Sequence, residues 1–192
     1  QSLNNQGGQV IAKNNLTVAA AQGTDNTDGS ISAGQDLNLN LGSANLINTG
    51  GTISTGDILN VQAAAVDNAD GSIIANKDIN LFAQSLSGNG QAIAGQDLNL
   101  TLNGDFTNGL NSELQANRNM SLIVAGTLTN QGSIAAVQNV NLNSTNIAND
   151  AAGMIAAGNT LNVTTTGNFT NDGTVSGSAV TAKAGQSAAN TG

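Results

Sequence analysis

Apolar and polar residues alternate in short bursts along this chain, and the bursts return at a nearly constant interval. The clearest burst is an apolar, polar, apolar triplet. Its apolar members are Leu16/Val18, Leu37/Leu39, Leu59/Val61, Ile79/Leu81, Leu98/Leu100, Met120/Leu122, Val140/Leu142, Leu161/Val163 and, more weakly, Val180/Ala182. Successive first members lie 21, 22, 20, 19, 22, 20, 21 and 19 residues apart. Six residues upstream runs a second apolar column of Val10, Ile31, Ile53, Ile73, Ala92, Leu114, Ile134 and Ile155, with Val175 one residue closer in the last unit. A third column holds Leu3, Leu46, Val66, Leu86, Phe106, Leu128, Ile147 and Phe169, with Thr24 standing in for the leucine of the second unit.

A beat of two, broken by Gly, Asn, Asp and Ser, predicts strands joined by tight turns, about three per unit. The i, i+3, i+4, i+7 spacing of a helix is nowhere sustained. Three strands of this length cannot bury their own inward face, so consecutive units must stack, pair edge to edge and share one core. The expected fold is all-β: a right-handed parallel β-helix, or β-solenoid, of about nine coils with 19–22 residues each. The varying coil length is what favours the right hand, because left-handed hexapeptide coils keep a fixed length. With strands about 4.8 Å apart, nine coils make a rod on the order of 40 Å long. Residues 1–192 read as one solenoid segment of a longer array, and residues 184–192 as the start of a further, incomplete coil, since Ala188-Ala189-Asn190-Thr191-Gly192 matches Leu46-Ile47-Asn48-Thr49-Gly50.

Two polar columns accompany the apolar ones. An asparagine stands two residues beyond the third apolar column, at Asn5, Asn26, Asn48, Asn68, Asn108, Asn130, Asn149 and Asn171, while in the fifth unit Gly88-Asn89 blurs the register. Stacked one strand spacing apart, each amide can donate to the carbonyl of the next, so the expected role is structural. A row of sugar-binding amides is the alternative. The second column, directly before the doublet, reads Asn15, Asp36, Ile58, Asp78, Asp97, Asn119, Asn139 and Thr160. Its side chains are expected to close their own turns by accepting from backbone N–H groups two residues on.

Composition narrows the function. Aromatic residues make up 2% of the chain, so Phe82, Phe106 and Phe169 are the whole supply and no Trp or Tyr can stack on sugar rings. Phe106 and Phe169 fall in an apolar column and should be core. Phe82 falls one place after its doublet and should point outward, as should Ile123, and the two form a possible exposed contact two coils apart. The net charge of -8, with four scattered basic residues, gives no phosphate-tracking surface and argues against nucleic acid as a partner. No cysteine or histidine is present, which removes disulfides, thiolate zinc sites and histidine ligands. The G-G-x-G-x-D nonapeptide that cages calcium between coils is missing, and the carboxylates sit in no repeated cluster. No metal or cofactor site and no catalytic residue is therefore assigned, and no run of apolar residues is long enough to span a membrane. Asn-x-Ser/Thr triplets at Asn15, Asn99, Asn119, Asn143, Asn162 and Asn168 follow from the repeat itself.

The unit "apolar-x-Asn-x-Gly-Gly-x-Ile-x-Ala-Gly-x-Asp-Leu-x-Leu", visible in Leu46 to Val61 and in Gly29 to Leu39, resembles the filamentous haemagglutinin repeat. That repeat builds shafts of two-partner-secreted bacterial exoproteins, among them large adhesins and contact-dependent growth inhibition effectors. The resemblance covers essentially the whole chain. It implies a secreted, cell-surface location and an outer-membrane two-partner-secretion transporter as partner during export. The expected function is a shaft that extends an adhesive or toxin module away from the cell. The rival reading makes one face of the rod a binding surface for a host or bacterial cell-surface receptor. A polysaccharide-acting β-helix enzyme comes third.

Overall fold

The computed structural model describes all of residues 1–192, and the chain is a parallel β-solenoid of about nine coils with no helix. Each coil contributes one strand to each of three faces. The face carrying the Ile53 column is a nine-stranded sheet running from Gln9–Ala12 to Thr174–Ser176. The face carrying the doublets runs unbroken from Leu16–Ala19 to Ala179–Ala184. All pairings are parallel and link consecutive coils, as the stacking of the units requires.

Register follows the apolar columns. Leu37 pairs with Leu59, Leu59 with Ile79 and Ile79 with Leu98 on the doublet face. Ile31 pairs with Ile53, and Ile53 with Ile73, on the next face. Because alternate strand residues point to opposite sides, one apolar column per face or pair of columns turns wholly inward. Ile31, Leu37, Leu39, Leu46, Ile53, Leu59 and Ile79 are fully buried, and so are Leu98 and Leu100. Each such side chain contributes about 1.5–3 kcal/mol, so a coil acquires its stability only when its neighbours cover it. Phe106 and Phe169 join this core, whereas Phe82 is 46% exposed.

The third face is less regular. Its first block holds Leu3–Asn4, Thr24–Asp25, Leu46–Ile47, Ala65–Asp67 and Ser85–Ser87. Its second block begins at Phe106–Asn108, which pairs with the far half of the long strand Asn119–Asn130. That strand and Asn139–Asn149 pass from the doublet face onto the third face around a corner without a loop, through a register irregularity between Val124 and Thr127. Ladder pairing is absent between Ser85–Ser87 and Phe106–Asn108, so one of the three faces is interrupted between the fifth and sixth coils.

The one polar intruder in the third apolar column has a measurable cost. Thr24 is 2% exposed and its Oγ1 meets no protein partner. A buried hydroxyl without a partner costs about 1–3 kcal/mol. Thr24→Val keeps the shape and removes the hydroxyl, and it is expected to raise the free energy of unfolding by about 1 kcal/mol in urea titrations. A destabilised variant would show that the hydroxyl is satisfied.

Candidate functional site

The most organised side chains in the molecule are ladders of amides running along the rod. In the buried ladder Asn5 Nδ2 donates to Asn26 Oδ1, Asn26 Nδ2 to Asn48 Oδ1 and Asn48 Nδ2 to Asn68 Oδ1, each at 2.7 Å. A second run links Asn108 to Asn130 and Asn130 to Asn149 at 2.7 Å, then Asn149 to Asn171 at 2.6 Å. It continues to Asn190, which lies on the strand Ala188–Asn190 and accepts from Asn171 Nδ2 at 2.5 Å. The second amide hydrogen of Asn48 reaches the carbonyls of Gly51 and Ser72, at 3.2 and 3.3 Å, so one side chain ties its own turn and the next coil together. Asn26, Asn48, Asn108 and Asn130 are completely buried.

This ladder dictates a glycine column that the sequence reading treated only as turns. Two residues before each apolar residue of the nine-stranded face stand Gly8, Gly29, Gly51, Gly71, Gly90, Ser112, Gly132, Gly153 and Gly173. A Cβ on Gly51 would overlap the main-chain carbonyl oxygen of Asn26, and Gly29 and Gly71 are placed the same way against Asn5 and Asn48. The glycines let one coil lie directly under the asparagine carbonyl of the coil before it.

The column before the doublet is a correction. Asn15, Asp36, Asp78, Asp97 and Asn139 do not bond N–H groups two residues on. Asn15 Oδ1 accepts from the N–H of Asp36, Asp36 Oδ1 from Ile58, and Asp78 Oδ1 from Asp97, at 3.0–3.2 Å. Asp97 Oδ1 accepts from the N–H of Asn119, and Asn139 Oδ1 from that of Thr160. The acceptor thus serves the coil that follows, because stacking places that N–H one strand spacing away at a corner where the regular ladder is interrupted.

Charge gathers at this same corner. Lys77 Nζ lies 2.8 Å from Asp57 Oδ1, and Arg118 forks onto Asp97 through Nε at 2.7 Å and Nη2 at 2.6 Å, with Asp78 at 3.9 Å. The Arg118 hydrogen bond, joined by those from the backbone and side chain of Asn119, holds the Asp97 carboxyl below the usual carboxylate range despite its partial burial. Asp25 is lowered too, by the Thr27 hydroxyl and N–H and by Gln6. A carboxyl whose folded value is depressed stabilises the fold above its unfolded pKa of about 3.9, and that contribution disappears as pH falls through the folded value. Asp97→Asn is expected to flatten the acid side of a plot of urea midpoint against pH below about pH 4, and an unchanged slope would assign the acid sensitivity elsewhere.

A surface ladder escaped the sequence reading altogether. The polar middle residues of the doublets stack outward, where Asn60 Nδ2 donates to Asn38 Oδ1 at 2.9 Å, Asn80 to Asn60 and Asn99 to Asn80 at 3.0 Å, and Asn162 to Asn141 at 2.9 Å. Its donors point back along the chain, opposite to the buried ladder. The signal was present as Asn between paired apolar residues, but its meaning depends on neighbours one coil away. Beside it Phe82 pairs with Thr101, and Thr101 with Ile123, so Phe82 and Ile123 share one outward column with a single residue between them. They are 46% and 45% exposed, and a shallow groove of about 370 Å³ lies next to Phe82, floored by Asn60, Asn80 and Asn99. A cleft of about 500 Å³ opens on the first block of the third face and contains one carboxylate, Asp25. No group of three or more His, Cys, Asp or Glu side chains converges anywhere.

Fold and side-chain columns together define a structural repeat array whose organised chemistry holds coil to coil. The haemagglutinin repeat family matches the chain in overlapping segments at residues 1–45, 11–81, 38–109, 83–132, 110–149 and 138–192, and the chain belongs to that family. It is a filamentous haemagglutinin-type repeat region of a secreted, cell-surface two-partner exoprotein. A relative, the tRNA nuclease CdiA-2 of Burkholderia pseudomallei (strain 1026b), is 32% identical over 150 residues. That match takes in 76% of this chain and 5% of the relative. No solved structure matches the chain.

Proposed function

We propose that this chain is a length of shaft that sets the distance between the bacterial surface and a distal adhesive or toxin module, and that it performs no catalysis itself. The observation that carries this reading is the continuous pairing of all nine coils on two faces around one core. Each added coil lengthens the rod by about 4.8 Å and buries another aliphatic layer, so reach and stability grow together. The small share of the relative covered by the match fits a spacer within a far longer chain, with any nuclease activity residing outside this segment. The outer-membrane two-partner-secretion transporter is the proposed partner during export. A cysteine-free chain carries no cross-link that would obstruct passage of an unfolded thread. Coil-by-coil folding outside the cell would then bias the thread against sliding back.

The test is an in-register deletion of residues 37–78, which removes two coils, and a matching duplication, both within the full-length exoprotein. Export should persist while engagement of a target cell by the distal module changes with shaft length. Engagement indifferent to length would overturn the spacer reading. Pro substitution at Leu37 or Leu98 tests the folding bias, since it breaks the stack and should reduce secretion.

The exposed column of Phe82, Thr101 and Ile123, with an amide-floored groove beside Phe82, supports a second reading, in which this face contacts a host or bacterial cell-surface receptor. Binding of the purified segment to cells, abolished by Phe82→Ser with Ile123→Ser, would favour it over the spacer alone.

A further inference from the structure

The buried ladder lacks one rung, and three features meet at the gap. Register puts Gly88 opposite Asn68, since Asp67 pairs with Ser87, but Gly88 has φ +98° and a Cβ there would overlap the backbone of Ala69. The asparagine of this coil is displaced by one residue: Asn89 faces solvent, donating to Asp70 Oδ1 at 2.8 Å and accepting from the Asp70 N–H at 3.0 Å. The ladder therefore ends at Asn68, whose Nδ2 donates to the Gln91 carbonyl at 3.1 Å and to no rung beyond. It restarts at Asn108, whose Oδ1 is fully buried and meets no protein donor.

A small, narrow pocket occupies the gap. Asn68, Asn108 and Ser112 are among its polar lining, and Leu86 and Phe106 are among its apolar lining. Its free space for the centre of a water-sized sphere is about 10 Å³, which is room for one water molecule. Ser112 is the single departure from the glycine column, and it falls here because the coil before it lacks a rung asparagine. Its Oγ donates to the Gly90 carbonyl at 3.2 Å.

We propose that this pocket is a built site for one structural water, which donates to Asn108 Oδ1 where the missing rung amide would and takes its second bond from the polar lining beside it. A buried carbonyl oxygen left without a donor costs about 1–3 kcal/mol, and a water with two or more polar partners removes that cost. The site lies where the third face is interrupted, between the fifth and sixth coils.

The test uses the 192-residue chain, with a high-resolution crystal structure and water-selective NOE spectroscopy of the side-chain amides. An ordered water within hydrogen-bond distance of Asn108 Oδ1, with a water cross-peak on the side-chain amide protons of Asn108, is the expected result. The variant Asn108→Leu removes the orphaned acceptor, and it should lose the ordered water and its cross-peak. A dry cavity in the wild-type chain, or Asn108 Oδ1 bonded to a protein donor, would overturn the proposal whether or not the variant folds.

Discussion

Asn48→Ala is expected to lower the free energy of unfolding by about 3 kcal/mol, whereas Asn99→Ala changes it by less than about 0.5 kcal/mol, although both residues belong to asparagine ladders. Asn48 is completely buried, accepts from Asn26 Nδ2 at 2.7 Å and donates to Asn68 Oδ1 at 2.7 Å. Truncation strands an amide hydrogen on Asn26 and a carbonyl on Asn68 inside the rod, where water cannot reach them. Asn99 donates to Asn80 Oδ1 at 3.0 Å on the open face, and water replaces that bond at little cost. Asn48→Asp sharpens the contrast, because a carboxylate of the same shape cannot donate and sets oxygen against the Asn68 oxygen. Urea titrations of the three variants decide the matter. Equal effects for Asn48→Ala and Asn99→Ala would mean that burial of the first ladder contributes nothing.

The second large effect concerns Gly51. Gly51→Ala should cost about 3 kcal/mol, while Gly109→Ala should fall within about 0.5 kcal/mol of the wild type. At Gly51 a methyl group overlaps the Asn26 carbonyl oxygen and comes within 2.7 Å of Asn48 Oδ1 and 2.9 Å of Asn26 Nδ2. None of these neighbours is a free side-chain tip. The Asn26 carbonyl accepts from the Gly29 N–H at 3.0 Å, and the two amides are bonded to each other. Relief requires opening the second and third coils or breaking the ladder. At Gly109 the same methyl group meets open space. Thermal melts of both variants suffice, and a tolerated Gly51→Ala would show that the coils separate more easily than their packing implies.

Much of the fold was legible because a solenoid converts distance along the chain into height. Leu37, Leu59, Ile79 and Leu98 could be placed above one another from their spacing alone, since no other arrangement buries three short strands per unit. The buried asparagine positions were legible for the same reason, standing at a fixed offset from an apolar column. The roles of Asp36, Asp78 and Asp97 were not. An acceptor at a turn can reach its own N–H or that of the next coil, and only the corner geometry selects the second. The glycine column looked like turn chemistry until the Asn26 carbonyl was seen above Gly51.

The fifth coil marks the boundary between the two kinds of knowledge. The letters Gly88-Asn89 reveal that the repeat falters there. That Asn89 turns outward to bond Asp70, that Ser112 takes a glycine's place, and that Asn108 keeps a buried oxygen facing a cavity depend on residues about twenty positions away in either direction. Sequence by itself determined the period, the inward faces and the family, because a core shared between identical layers leaves its periodicity in the chain. Tertiary structure alone decided which polar atoms bond across coils and where that bonding fails, because a hydrogen bond depends on a few tenths of an ångström between atoms brought together only by the closure of each coil.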